Sequence, residues 1–99
     1  MDENINETQI ATALMLLKVA LGITHDKRDV YFRSLLSSTF AELKERGISI
    51  DVNEIEDNML LADYAEFNYR NRDSDNKMPQ NLDLRIRNRK VKGRANNGA

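Results

Sequence analysis

Apolar residues recur at spacings of three and four along most of this chain, and at a spacing of two only near its end. Ile10, Ala13, Leu14, Leu17 and Leu21 form the first set, which predicts a helix capped by Asn6 with Gln9 as its capping-box partner. Gly22 follows, at the place where a helix commonly ends in a left-handed residue. A second helix is predicted from a cap at Thr24 or Asp26, with Phe32, Leu35, Leu36, Phe40 and Leu43 on one stripe, Thr39 beside them and Gly47 closing it. Asp51 opens a third, with Glu54 as capping partner and Ile55, Met59 and Ala62 along one face. Leu60, Leu61, Tyr64 and Phe67 spread apolar character around that third cylinder. Such a helix is either central or covered by another subunit, so these four are the expected subunit interface.

The pattern changes after Tyr69. RNRDSDNKMP (70–79) is polar and ends in the chain's one proline, as a surface loop or linker does. Beyond it Leu82, Leu84 and Ile86 alternate with polar residues as in a strand, although a helix through Leu82 and Ile86 also accommodates them. From Gly93 the end is expected to be disordered. The chain therefore divides into a helical bundle (1–69), a linker (70–81) and a C-terminal arm (82–99). The fold class is all-α: a bundle of three to four helices carrying an extended, strand-like arm. Its core is expected from Leu14, Leu17, Leu21, Phe32, Leu35, Leu36, Phe40, Ile55, Met59 and Ala62.

Length sharpens this picture, since 99 residues leave room for one core and not two. Hydrophobic residues at 40% and charged residues at 31% describe a soluble globular chain. The longest apolar run, IATALMLLKVALGI (10–23), is too short for a membrane span and is interrupted by Lys18. MDENINE at the N-terminus is acidic where a signal peptide is basic.

Familiar catalytic chemistry is hard to assemble from these residues. There is no cysteine, and the single histidine, His25, lies in the THDKRD connection, where a solvated loop residue is expected. DVNEIEDN (51–58) places Asp51, Asn53 and Asp57 near calcium-loop positions, but Glu56 stands where the turn needs Gly and Ala62 where the last ligand would be Glu. The four glycines are scattered, so no phosphate-binding loop forms. No enzyme activity, metal or cofactor is expected.

Charge is distributed unevenly. Residues 1–67 hold 13 acids and 6 bases, net −7, and residues 68–99 hold 3 acids and 9 bases, net +6. Within the arm Arg85, Arg87, Arg89, Lys90, Lys92 and Arg94 are cationic, interleaved with Leu82, Leu84 and Ile86. A purely solvated tail has no need of those apolar side chains. Leu82, Leu84, Arg85, Ile86, Arg87, Arg89 and Lys90 are accordingly expected to dock on a protein surface.

The order of segments resembles the small head–tail connector (adaptor) proteins of long-tailed bacteriophages and prophages. The resemblance rests on LLKVALGITHDKRD (16–29), LKERGI (43–48), MLLADYAEFNYRNRD (59–73) and MPQNLDLRIRNRKV (78–91), and spans residues 10–92. It implies a helical protein without catalysis that forms a ring, commonly dodecameric, beneath the portal protein. Such a ring extends the DNA channel and offers a platform to the next head-completion or tail protein. Genomic DNA would pass through without sequence-specific binding. The implied location is the virion head–tail interface, with the host cytoplasm during assembly. The rival reading is a small nucleic-acid-binding regulator using the same basic arm. Against it stand an acidic body and the absence of any Phe, Tyr or Trp after Tyr69 on which bases could stack. A partner-binding helical module unrelated to phage is the third reading.

Overall fold

The computed structural model describes residues 7–72 and 77–98, with side chains described over 9–72 and 77–92. Four helices follow one another: α1 (Glu7–Leu21), α2 (Asp29–Glu45), α3 (Ile55–Arg70) and α4 (Gln80–Gly98). No strand occurs among the described residues. The all-helical class is therefore met, but the arm expected to be extended is helical from Gln80 onward. Leu82 and Ile86, one turn apart, are its buried side at 5% and 4% exposure, whereas Leu84 is 55% exposed. That is a helical period, and the alternation of apolar and polar residues was coincidental. The end expected to be disordered from Gly93 is instead helical backbone through Gly98, and the proposed cap Asn6 lies outside the described residues.

Gly22 and Gly47 terminate α1 and α2 at φ +72° and +92°. At each, two amides close the helix end. Gly22 N donates to Val19 O at 3.1 Å and Ile23 N to Lys18 O at 2.9 Å. Gly47 N donates to Lys44 O at 3.0 Å and Ile48 N to Leu43 O at 2.9 Å. This pairing satisfies carbonyls that a helix end otherwise leaves open, and the second instance buries Ile48 with Leu43. The helix starts differ from expectation. Neither α2 nor α3 has a side-chain cap. Asp26 instead pairs with Lys18 Nζ at 2.8 Å, a contact that ties the end of α1 to the approach of α2. The side chain of Asp51 accepts the Asn53 amide within the turn before α3.

Helix α3 is the centre. It packs against α1 and α2, which also pack on each other, and among the described residues it is the only helix that α4 touches. Ile10, Ala13, Leu14 and Leu17 of α1 meet Phe32, Leu36 and Leu43 of α2 and Leu60, Leu61, Tyr64 and Ala65 of α3 in one core. Ala62 is buried as expected, and Leu21, Leu35 and Phe40 are packed on the core margin. Ile55 and Met59 are corrections: they are 56% and 45% exposed. Ile55 and Met59 face outward because Leu60, Leu61, Tyr64 and Ala65, with Ala62, are the residues that enter the core with α1 and α2. Burying all sides of one helix needs partners on all sides, and α3 has three.

Polar atoms inside the bundle are mostly satisfied locally. The Thr39 hydroxyl donates to Leu35 O at 2.8 Å, a bond within its own helix. Tyr64 Oη donates to Glu42, and burial together with that carboxylate pushes the phenol up to about 12. Where α2 begins and α3 ends, Arg28 lies over the rings of Tyr31, Phe32 and Tyr69 at 5.0, 5.4 and 5.8 Å and donates to Tyr69 Oη at 3.2 Å. This cluster joins the outer ends of the two helices.

Candidate functional site

The basic segment, the strongest candidate in the sequence, engages the chain's own acidic body. Arg85 donates to Asp63 Oδ2 at 2.7 Å. Arg89 grips Asp57 with two bonds, 2.8 Å from Nε and 3.0 Å from Nη2, and Nη2 also reaches Ser49 O at 2.8 Å. Asp57 accepts the Asp51 amide at 2.7 Å as well, and Asn58 Nδ2 donates to Val52 O at 3.0 Å. Two buried polar residues in the first turn of α3 thus organise the preceding connection, and Arg89 fastens α4 to the same point. Burial acts to raise the Asp57 carboxyl, but hydrogen bonds from Arg89 and the Asp51 amide, with the charges of Arg89 and Lys92, hold it below its ordinary value.

The remaining cations of the segment behave differently. Arg87 pairs within α4, with Asp83 at 3.0 Å, and its side chain is 74% exposed. The stem of Lys90 lies against Gly47, where an added Cβ would come within 3.2 Å of its Cε. Of the seven residues expected to dock on another protein, Leu82 and Ile86 belong to this chain's core. Arg85 and Arg89 are engaged with α3, while Leu84 and Arg87 face solvent and Lys90 is half-buried. Of the four expected at a subunit interface, Leu60, Leu61 and Tyr64 are buried in the monomer at 4%, 0% and 2% exposure, and Phe67 is half-buried. Their apolar breadth is accounted for by α1, α2 and α4.

What stays open to a partner lies elsewhere. On α1 Ala11, Met15 and Val19 form an exposed stripe at four-residue spacing, with Met15 at 63% and Val19 at 74% exposure. A groove of about 460 Å³ beside it is lined by Leu14, Lys18, Ile23 and Arg33. Along the α3–α4 seam run two adjoining grooves of about 490 and 330 Å³ that share Asp63 and Arg85. Met59 and Leu60 line the larger and Phe67 and Leu82 the smaller. A third apolar pair, Leu84 and Val91 at 55% and 61% exposure, lies seven residues apart on the side of α4 turned away from Leu82 and Ile86. Sequence reasoning passed over Ala11, Met15, Val19 and Val91, since their spacing alone does not separate an outer stripe from an inner one.

His25 is exposed, and its Nδ1 accepts the Lys27 amide at 3.2 Å. Among the described residues no three His, Cys, Asp or Glu side chains converge as a metal site, and no helix is long and apolar enough to cross a membrane. Comparison with protein-family models, curated proteins and solved structures returned no match.

Proposed function

We propose that this protein is a structural, non-catalytic head–tail connector of a long-tailed phage or prophage. It assembles as a ring beneath the portal, extends the DNA channel and presents a platform to the next head-completion or tail protein. The observation that supports this reading most is the set of unlike apolar faces left over once the core is complete. They are the α1 stripe, the α3–α4 seam and the outer side of α4. A closed ring uses two different surfaces on every copy, because each subunit meets its two neighbours through opposite sides. A third face is then available for the portal, and Leu84, Arg87 and Val91 on α4 combine apolar contact with a guanidinium suited to carboxylates.

Light scattering across a concentration series tests the reading. Heterologous surfaces give monomers at low concentration and a closed ring of high copy number above it. A dimer persisting over the whole series requires a self-complementary patch and overturns the proposal.

A further inference from the structure

Helix α1 is apolar on nearly every side, with Lys18 the one charged side chain between Gln9 and Leu21. Its inner side fills the core, yet Met15 and Val19 face water. A helix of that composition is normally covered all round. Lys18 adds no free charge to the outer side, since its Nζ is held by Asp26 at 2.8 Å and Asp29 at 2.9 Å. The α1 stripe can therefore lose its water without stranding a charge.

The middle of the α3–α4 seam has a similar property. Its walls carry the joined pairs Asp57–Arg89, Asp63–Arg85 and Glu66–Arg70 with Met59 and Leu60 as apolar lining, and Glu56 and Lys92 are the charges left at one end. Dimensions agree too. The two seam grooves run from Glu56 to Arg70 along α3, about 21 Å at helical rise, and the 15 residues of α1 span about 22 Å. One border offers opposite signs: Arg33 edges the α1 groove, and Glu56 edges the end of the seam that also carries Lys92.

We infer that the α1 stripe (Ala11, Met15, Val19) of one copy docks along the α3–α4 seam (Met59, with Glu56 at its rim) of the next. The inference rests on the ring reading above and names the two surfaces that such a ring would join. The mode is an amphipathic helix laid in a groove, with anchors one turn apart. The α1 stripe extends only about 12 Å from Ala11 to Val19. Three side chains over that length cover far less than the roughly 800 Å² that each partner buries in a stable isolated pair. Each contact is weak on its own, and closure of the ring supplies the stability.

The absence of cysteine makes the test direct. Val19→Cys and Met59→Cys both fall at exposed positions and leave the core intact. The two variants are prepared separately, mixed, and treated with a flexible bismaleimide, which tolerates uncertainty in register that a disulfide's short Cα–Cα span does not. A control mixture carries Ser34→Cys and Glu45→Cys, both exposed. The expected result is a mixed 19–59 dimer several-fold above the control mixture, little homodimer of either variant, and loss of the excess when Met15→Asp is added to the Val19→Cys chain. A double variant carrying both cysteines should give a ladder. A 19–59 yield no higher than control overturns the pairing, and if wild-type protein still forms rings by light scattering, the connector reading survives that result. Predominant 19–19 or 59–59 products, alongside a persistent wild-type dimer, overturn both.

Discussion

Asp57 and Arg89 are 32 residues apart in the chain, and no local pattern links them. Asp57 is a charged residue in the first turn of a helix, where its carboxylate would ordinarily be solvated near the positive helix end. Here it is 5% exposed, because it holds the Asp51 amide on one side and the Arg89 guanidinium on the other. Arg89→Met keeps the stem but leaves that carboxylate with the amide alone. Breaking a buried pair from one side costs more than the pair contributes, and with the Arg89 side chain 18% exposed the low end applies, so unfolding free energy should fall by about 3 kcal/mol in urea titrations at neutral pH. The pH dependence carries a sign. The folded Asp57 carboxyl titrates below its unfolded value of about 3.9, so its stabilisation is present above that pH and is lost as pH falls through the folded value. Asp57→Asn should flatten this acid limb. An unchanged urea midpoint for Arg89→Met would mean that the pair does not fasten α4.

The helices themselves were largely legible, and their sides less so. Gly22 and Gly47 announced two helix ends because a left-handed residue there is almost forced to be glycine. The stripe Phe32–Leu36–Thr39–Leu43 announced the inner side of α2 because that helix has a single apolar side. Helix α3 was ambiguous for the opposite reason: apolar residues surround it, and only the positions of α1, α2 and α4 decide that Leu61 is inside and Met59 outside. Helix α4 was undecided between strand and helix because Leu82, Leu84 and Ile86 obey a period of two over so short a run that Leu82 and Ile86 equally fit a helical turn. The two periods predict different mutants. In a strand Leu84 and Ile86 share a side, whereas in α4 Ile86 is 4% exposed and Leu84 is 55%. Ile86→Asp should therefore cost upwards of about 3 kcal/mol, an unpaired charge in the core, while Leu84→Asp should stay within about 0.5. Thermal denaturation followed by circular dichroism separates them, and equal shifts in Tm would contradict the helical register.

At the scale of the whole molecule, the opposition of an acidic body and a basic tail is resolved within one chain. Six cations between Arg85 and Arg94 read as an arm seeking an external anion. The fold sets Arg85 and Arg89 on α3 carboxylates, and Arg87 shares a weaker, exposed pair with Asp83 in its own helix. Among the described side chains Lys90 and Lys92 make no ion pair, and they belong to a chain whose first 67 residues carry a net −7. An arm making six phosphate contacts would show a log–log salt slope near about −5, since each neutralised phosphate contributes about 0.9. With Arg85 and Arg89 held, at most four of the six cations can be offered, so the slope for duplex DNA should be no steeper than about −3.6, and binding should be weak and indifferent to sequence. Fluorescence anisotropy over a salt series measures it. A slope near −5 with tight binding at low salt would mean that Arg85 and Arg89 leave Asp63 and Asp57 for phosphates. That outcome would detach α4 from the bundle and favour the regulator reading. A shallow slope leaves the arginines where the geometry has them, as fasteners between α4 and α3, with recognition of partners assigned to the apolar faces that remain outside.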